Sequence, residues 1–62
     1  MSIKEYRKQR NWTQGDLSYH SRVPQAEISR IESGRLKPTD GQIQRLAKAL
    51  GVKPDQIAVE QN

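Results

Sequence analysis

The sequence predicts an all-α, compact five-helix domain in which helices 2 and 3 form a helix-turn-helix. Apolar residues recur at helical spacing, helix-capping residues precede several of these segments, and no segment alternates with the period of two typical of a β-strand. We interpret residues 1–62 as one domain, with a frayed tail at 58–62. A domain this small buries only about 60% of the surface that its unfolded chain exposes, so marginal stability is expected.

The first two helices are predicted from their caps. Ser2 is the candidate N-cap of the first helix, which is interrupted at Asn11–Trp12. Thr13 begins the second helix with Asp16 three residues later, close to a capping box. Leu17 is then expected on the buried side of that helix.

The third helix is predicted to begin near Pro24, to stop before Gly34 and to have two unlike faces. At 100° per residue, Ile28 and Ile31 lie on one side, flanked by glutamates. The residues of the other side, within roughly 140° of each other, are Gln25, Ala26, Ser29, Arg30 and Ser33. This side offers an amide, hydroxyls and a guanidinium but no acid, as a helix in the major groove of DNA requires.

The fourth helix gives the strongest amphipathic pattern. Thr39 and Gln42 form a T-x-x-Q capping box. The apolar residues that follow at i, i+3, i+4 and i+7 are Ile43, Leu46, Ala47 and Leu50. Gly51 is expected to end this helix, and Pro54 to open a last short helix that contains Ile57.

The net charge of +4 is unevenly distributed. Residues 1–37 contain eight Lys and Arg against four Asp and Glu, whereas the cations and acids of the remaining residues cancel. The half with the two-helix motif is therefore basic, as a phosphate-binding surface would be. Ordinary surface charge kept for solubility is an equally good interpretation of the charge alone.

The sequence offers few residues for metal binding or catalysis. His20 is the single histidine and there is no cysteine, so a zinc site of the usual ligands cannot form. No catalytic constellation or phosphate-loop glycine spacing is found, so we expect neither an enzyme nor a cofactor. Tyr6 and Trp12 are expected to fill the corner between the first two helices. Tyr19 fits either the rim of the core or an exposed face, and a structural role is favoured.

A family resemblance covers residues 3–57. The motifs W-T-Q at 12–14, I-S-R-I-E-S-G-R at 28–35 and R-L-A-K-A-L-G-V at 45–52 occur in the order and spacing of the Cro/repressor-type (XRE family) helix-turn-helix domain. The chain resembles this family along nearly its whole length. The resemblance implies a five-helix lambda-repressor-like domain whose third helix reads DNA, usually as a symmetric dimer.

The resemblance also implies roles for individual residues. Gln14 would contact a phosphate and brace Gln25, and Gln25 and Arg30 would read bases. The other implied base contacts are Ala26 and Ser29, and the implied backbone contacts are Thr13, Ser33, Arg35, Lys37 and, more weakly, Arg10. For each of these residues the alternative is an ordinary solvated side chain.

Two residues match a structural pair, and three depart from the family pattern. Arg7 and Glu32 correspond to an ion pair that joins helix 1 to the end of helix 3, and we expect it to be partly buried. Arg22 stands where glycine is common and would carry strain at positive φ. Pro24 replaces a serine cap, and Ser21 replaces a larger apolar residue.

These observations predict a sequence-specific double-stranded DNA-binding protein, a transcriptional repressor that acts as a homodimer on a palindromic operator. The dimer would use residues 52–59 or form only on DNA. The alternative is a protein-interaction module or antitoxin that binds a partner protein through helices four and five. No membrane span or signal peptide is predicted, so a cytoplasmic location is expected.

Overall fold

The computed structural model describes residues 2–58 and contains five α-helices in that range. They are α1 (Ile3–Gln9), α2 (Gln14–Ser21), α3 (Gln25–Glu32), α4 (Asp40–Leu50) and α5 (Pro54–Ala58). Residues 2–58 contain no strand, and the predicted all-α, five-helix fold is confirmed. Ala58, which was expected in the tail, is the last residue of α5, because the turn that buries Ile57 continues one residue past it. The rest of the predicted tail, 59–62, lies outside the described residues.

The core draws apolar side chains from all five helices and from the turn between α2 and α3. Each of its members is at most 3% exposed: Ile3, Leu17, Val23, Ile28, Ile31, Leu46, Ala47, Leu50 and Ile57. Three of the four residues in the α4 stripe are among them, while Ile43 is half-buried. Ser21 is also buried, and its hydroxyl accepts a hydrogen bond from the Val23 N–H at 3.2 Å. A hydroxyl thus occupies a core position, and it is satisfied locally.

Three helices begin with capping boxes, at Ser2, Thr13 and Thr39. In each, the cap and the residue three positions later exchange backbone-to-side-chain hydrogen bonds of 2.8–3.1 Å. Hydrogen bonds from the caps lower the pKa values of the Glu5 and Asp16 carboxyls. By contrast, α3 has Pro24 as its N-cap and no side-chain cap, so its first amides depend on other partners.

A residue with left-handed backbone lies at the C-cap or one residue after it in four helices: Asn11, Arg22, Gly34 and Gly51. The N–H group of each of these residues donates to a carbonyl in the last turn of its helix. After α3, the Arg35 N–H also donates to the Arg30 carbonyl, at 2.8 Å. Arg22 has φ 62°, so the departure from glycine at this position does carry strain, of about 1–2 kcal/mol.

Gly51 is required for two separate reasons. Its φ is 70°, and a Cβ built on it would lie 2.7 Å from Nη2 of Arg10. That guanidinium donates to the Leu50 carbonyl from Nε at 3.1 Å and from Nη2 at 2.9 Å, so it caps the C-terminus of α4. Arg10 therefore has a structural role, and its weaker assignment as a DNA contact stays a prediction.

Gly51→Ala is expected to destabilise the domain more than Gly34→Ala. Both glycines have positive φ, which predicts a loss of about 1–2 kcal/mol in the free energy of unfolding for either change. Gly34 has no neighbour within 4 Å of the added Cβ, whereas the Cβ at Gly51 displaces the guanidinium of Arg10 from the Leu50 carbonyl and costs about another 0.5–1 kcal/mol. Urea unfolding followed by circular dichroism measures both, and equal losses would contradict this account.

Candidate nucleic-acid interface

The outer face of α3 is the largest group of predicted DNA contacts that the fold brings together. Gln25, Ala26, Ser29, Arg30 and Ser33 are all exposed. Ile28 and Ile31 on the inner side are at most 1% exposed, as the helical periodicity predicts. The exposed strip therefore contains polar and small side chains and one cation.

Arg7 fixes the C-terminal end of α3 to the rest of the domain. Its Nε donates to Oε2 of Glu32 at 2.8 Å, and its Nη2 donates to Oε1 at 3.0 Å. Its Nη1 donates to the carbonyl of Trp12 at 2.7 Å. The Arg7 and Glu32 side chains are only 10% and 4% exposed, and the bonds to Glu32 raise the pKa of Arg7. One side chain therefore joins α1, the α1–α2 corner and α3.

Gln14 lies at the start of α2 but does not form the expected brace to Gln25. Its Nε2 donates instead to Oε1 of Glu32, at 3.1 Å. A carboxylate is a stronger acceptor than a neutral amide, and Arg7 holds this one within reach. Gln25 approaches the first turn of α2 at Gly15, where an added Cβ would lie 3.6 Å from its Oε1. The amide of Gln25 is thus not fixed by Gln14.

Glu27 is held to the scaffold in a similar way on the other flank of α3. Nε2 of Gln42 donates to Oε1 of Glu27 at 2.6 Å, while the amide oxygen of Gln42 accepts from the Thr39 N–H at 3.0 Å. The sequence analysis did not predict this bond: it assigned Gln42 to the capping box of the fourth helix and gave Glu27 no partner. Both acids of α3 are consequently turned away from its outer face.

The segment after α3 presents two further cations. Leu36 is half-buried against the core and Pro38 is buried, so Arg35 and Lys37 alternate with them on the exposed side. Thr13 is exposed, and its hydroxyl accepts from the Asp16 N–H. The Ser33 hydroxyl donates to the Arg30 carbonyl at 3.1 Å, so its proton is already in use.

Tyr19 is 82% exposed, so the structural role favoured for it is wrong. It lies about 200° around α2 from both Leu17 and Ser21, the buried residues of that helix. His20 is exposed and stacks on Trp12, with ring centroids 4.4 Å apart. The guanidinium carbon of Arg10 lies 5.1 Å from the Trp12 ring centroid. Trp12 therefore does pack at the corner, half-buried between the core and these two side chains.

The described residues contain no group of three or more side chains that could hold a metal ion. None of the helices found in residues 2–58 has the length and apolar character needed to cross a membrane.

Comparison with protein families gives one finding that bears on this surface. A helix-turn-helix family model matches residues 3–57, a range that takes in α1 to α4 and all but the last residue of α5. Neither the search of curated proteins nor the search of solved structures produced a match.

Substitutions at Arg7 and Glu32 are expected to be strongly coupled. Arg7→Met or Glu32→Gln should each lower the free energy of unfolding by about 2–4 kcal/mol, because each leaves a largely buried charged residue without the opposite charge that it pairs with. The double variant should lose less than the sum of the two. Arg35→Met, at an exposed arginine, serves as the control and should change stability by less than about 0.5 kcal/mol. A double-mutant cycle by urea unfolding that gives no coupling would contradict the network.

Proposed function

The chain belongs to the Cro/repressor-type (XRE family) of helix-turn-helix domains and is a DNA-binding protein of the transcription-regulator type. We propose that it recognises a specific double-stranded DNA sequence by placing α3 in the major groove. The observation that carries this proposal is the outer face of α3. Gln42 and Arg7 hold the two acids of this helix, so that no carboxylate on α3 is directed at an approaching phosphate.

Gln25 and Arg30 are the proposed base-reading residues. Glutamine can pair with the N6 and N7 atoms of adenine, and arginine with O6 and N7 of guanine. Both side chains are exposed, and no ion pair to a described acid engages the Arg30 guanidinium. Ala26 and Ser29 lie between them on the same face and are proposed to contact thymine methyl groups or base edges.

Residues around α3 are proposed to contact the phosphates and so position the helix. Gln14 gives one amide proton to Glu32 and keeps a second for a phosphate at the N-terminus of α2. The other proposed phosphate contacts are Thr13, Ser33, Arg35 and Lys37. Such contacts fix the register of a protein on the duplex, whereas base contacts determine the sequence.

We further propose that the protein represses transcription from the cytoplasm by occupying a palindromic operator as a homodimer. The two half-sites would be about one helical turn, roughly 34 Å, apart. Support for this comes from the resemblance, which implies symmetric dimers.

Alanine substitutions should separate base reading from phosphate binding. Gln25→Ala and Arg30→Ala are expected to relax the base preference at particular positions, by about 1–3 kcal/mol each. Arg35→Ala should weaken binding to every sequence alike and reduce the slope of log K against log salt by about 0.9. Selection from randomised duplexes, followed by binding measurements across a salt series, tests both.

A slope near zero for the unmodified protein, or equal affinity for selected and random duplexes, would reject the proposed function. A selected sequence without two-fold symmetry would reject the palindromic operator alone.

A further inference from the structure

A second basic surface lies away from the residues assigned to DNA. It is an open cleft of about 640 Å³ between the C-terminal end of α2 and α4, lined by His20, Ser21, Arg22, Arg45, Lys48 and Ala49. None of these residues is a proposed DNA contact. Gln14 and this cleft lie at opposite ends of α2, which are separated by roughly 10 Å along the helix axis. We propose that this cleft binds an acidic segment of a partner protein.

No acid among the described residues neutralises the charges that line the cleft. Arg22, Arg45 and Lys48 are exposed, and none forms an ion pair with an acid among residues 2–58. The acids nearest to Arg22 in sequence are already hydrogen-bonded: Oε1 of Glu27 accepts from Nε2 of Gln42, and Asp16 accepts from the Thr13 N–H at the far end of α2. Three cationic residues that line one concave surface, without an ion-pair partner among residues 2–58, favour a negatively charged ligand.

The backbone at Arg22 gives a second reason to assign a role to this cleft. Arg22 adopts φ 62°, a conformation that glycine would reach without strain. Backbone strain of this kind is often found where a particular side chain serves a function. At this turn the strained residue is one of those that line the cleft.

Tyr19 is the observation that favours a protein as the ligand. It is the large apolar side chain that the described residues leave most exposed, and it directly precedes His20, which lines the cleft. The His20 ring meets it edge-on at 5.2 Å, and Trp12 in turn stacks on His20. Tyrosine and arginine are both enriched in protein-interface hot spots, so an exposed tyrosine next to this basic cleft fits a protein partner.

The test uses the full chain and a fluorescent peptide of glutamate and leucine residues, with a glutamine-for-glutamate peptide as the uncharged comparison. The cleft variant is the double substitution Arg45→Gln with Lys48→Gln. Its matched control, Lys4→Gln with Lys8→Gln, removes the same charge from exposed positions on α1. Fluorescence anisotropy gives the affinities, and amide chemical shifts locate the bound peptide.

The unmodified protein is expected to prefer the acidic peptide, with the largest shift changes at residues 20–22 and 45–49. The cleft variant should bind it about tenfold more weakly and the control less than about twofold. Tyr19→Ala should weaken binding of the peptide about threefold. Unchanged binding would contradict the argument from Tyr19 for a protein partner. Equal losses in the cleft variant and the control, or shift changes centred on α3, would overturn the proposal.

The same variants test whether the cleft binds nucleic acid instead of a protein segment. With a random-sequence duplex, the cleft variant and the control should lose equal affinity. A larger loss in the cleft variant would show that the cleft binds phosphates and would overturn the proposed protein partner. Because the peptide is measured without DNA, this result is independent of whether α3 reads an operator.

Discussion

The position of α3 depends on one largely buried guanidinium. Helix α1 contributes Ile3 as its fully buried apolar side chain, and its other buried residue is Arg7. The bonds from Arg7 to Glu32 and to the Trp12 carbonyl therefore replace the apolar contacts that a longer helix would make. In a chain too short for a large core, directed hydrogen bonds define the angle between helices that apolar packing alone would leave loose.

Most of the fold could be predicted from local signals. The capping boxes at Thr13 and Thr39, the glycine at 51 and the α4 stripe each act within a few residues, so the sequence contains the whole interaction. The inner and outer faces of α3 followed from periodicity for the same reason. These elements could be predicted without knowing which helices pack against each other.

Contacts between distant segments were harder to predict. The resemblance suggested that Gln14 would brace Gln25, but Glu32 receives its amide, because a carboxylate already fixed by Arg7 is the stronger acceptor. The bond from Gln42 to Glu27 depends on how α3 and α4 approach each other. The sequence left Tyr19 between the rim of the core and an exposed face, and the structural role favoured for it is wrong because the side chain is 82% exposed.

Because Glu27 and Glu32 are bonded to the rest of the domain, the proposed DNA-facing residues of α3 are not needed to hold the helix in place. The residues that hold α3 in place are its two isoleucines and two acids. The side chains of Gln25, Ala26 and Ser29 are exposed and form no tertiary hydrogen bond to another residue of 2–58. Stability and recognition thus occupy separate positions of one eight-residue helix. Related domains could acquire new target sequences by substitution at the outer positions with little change in folding free energy, so selection could act on specificity alone.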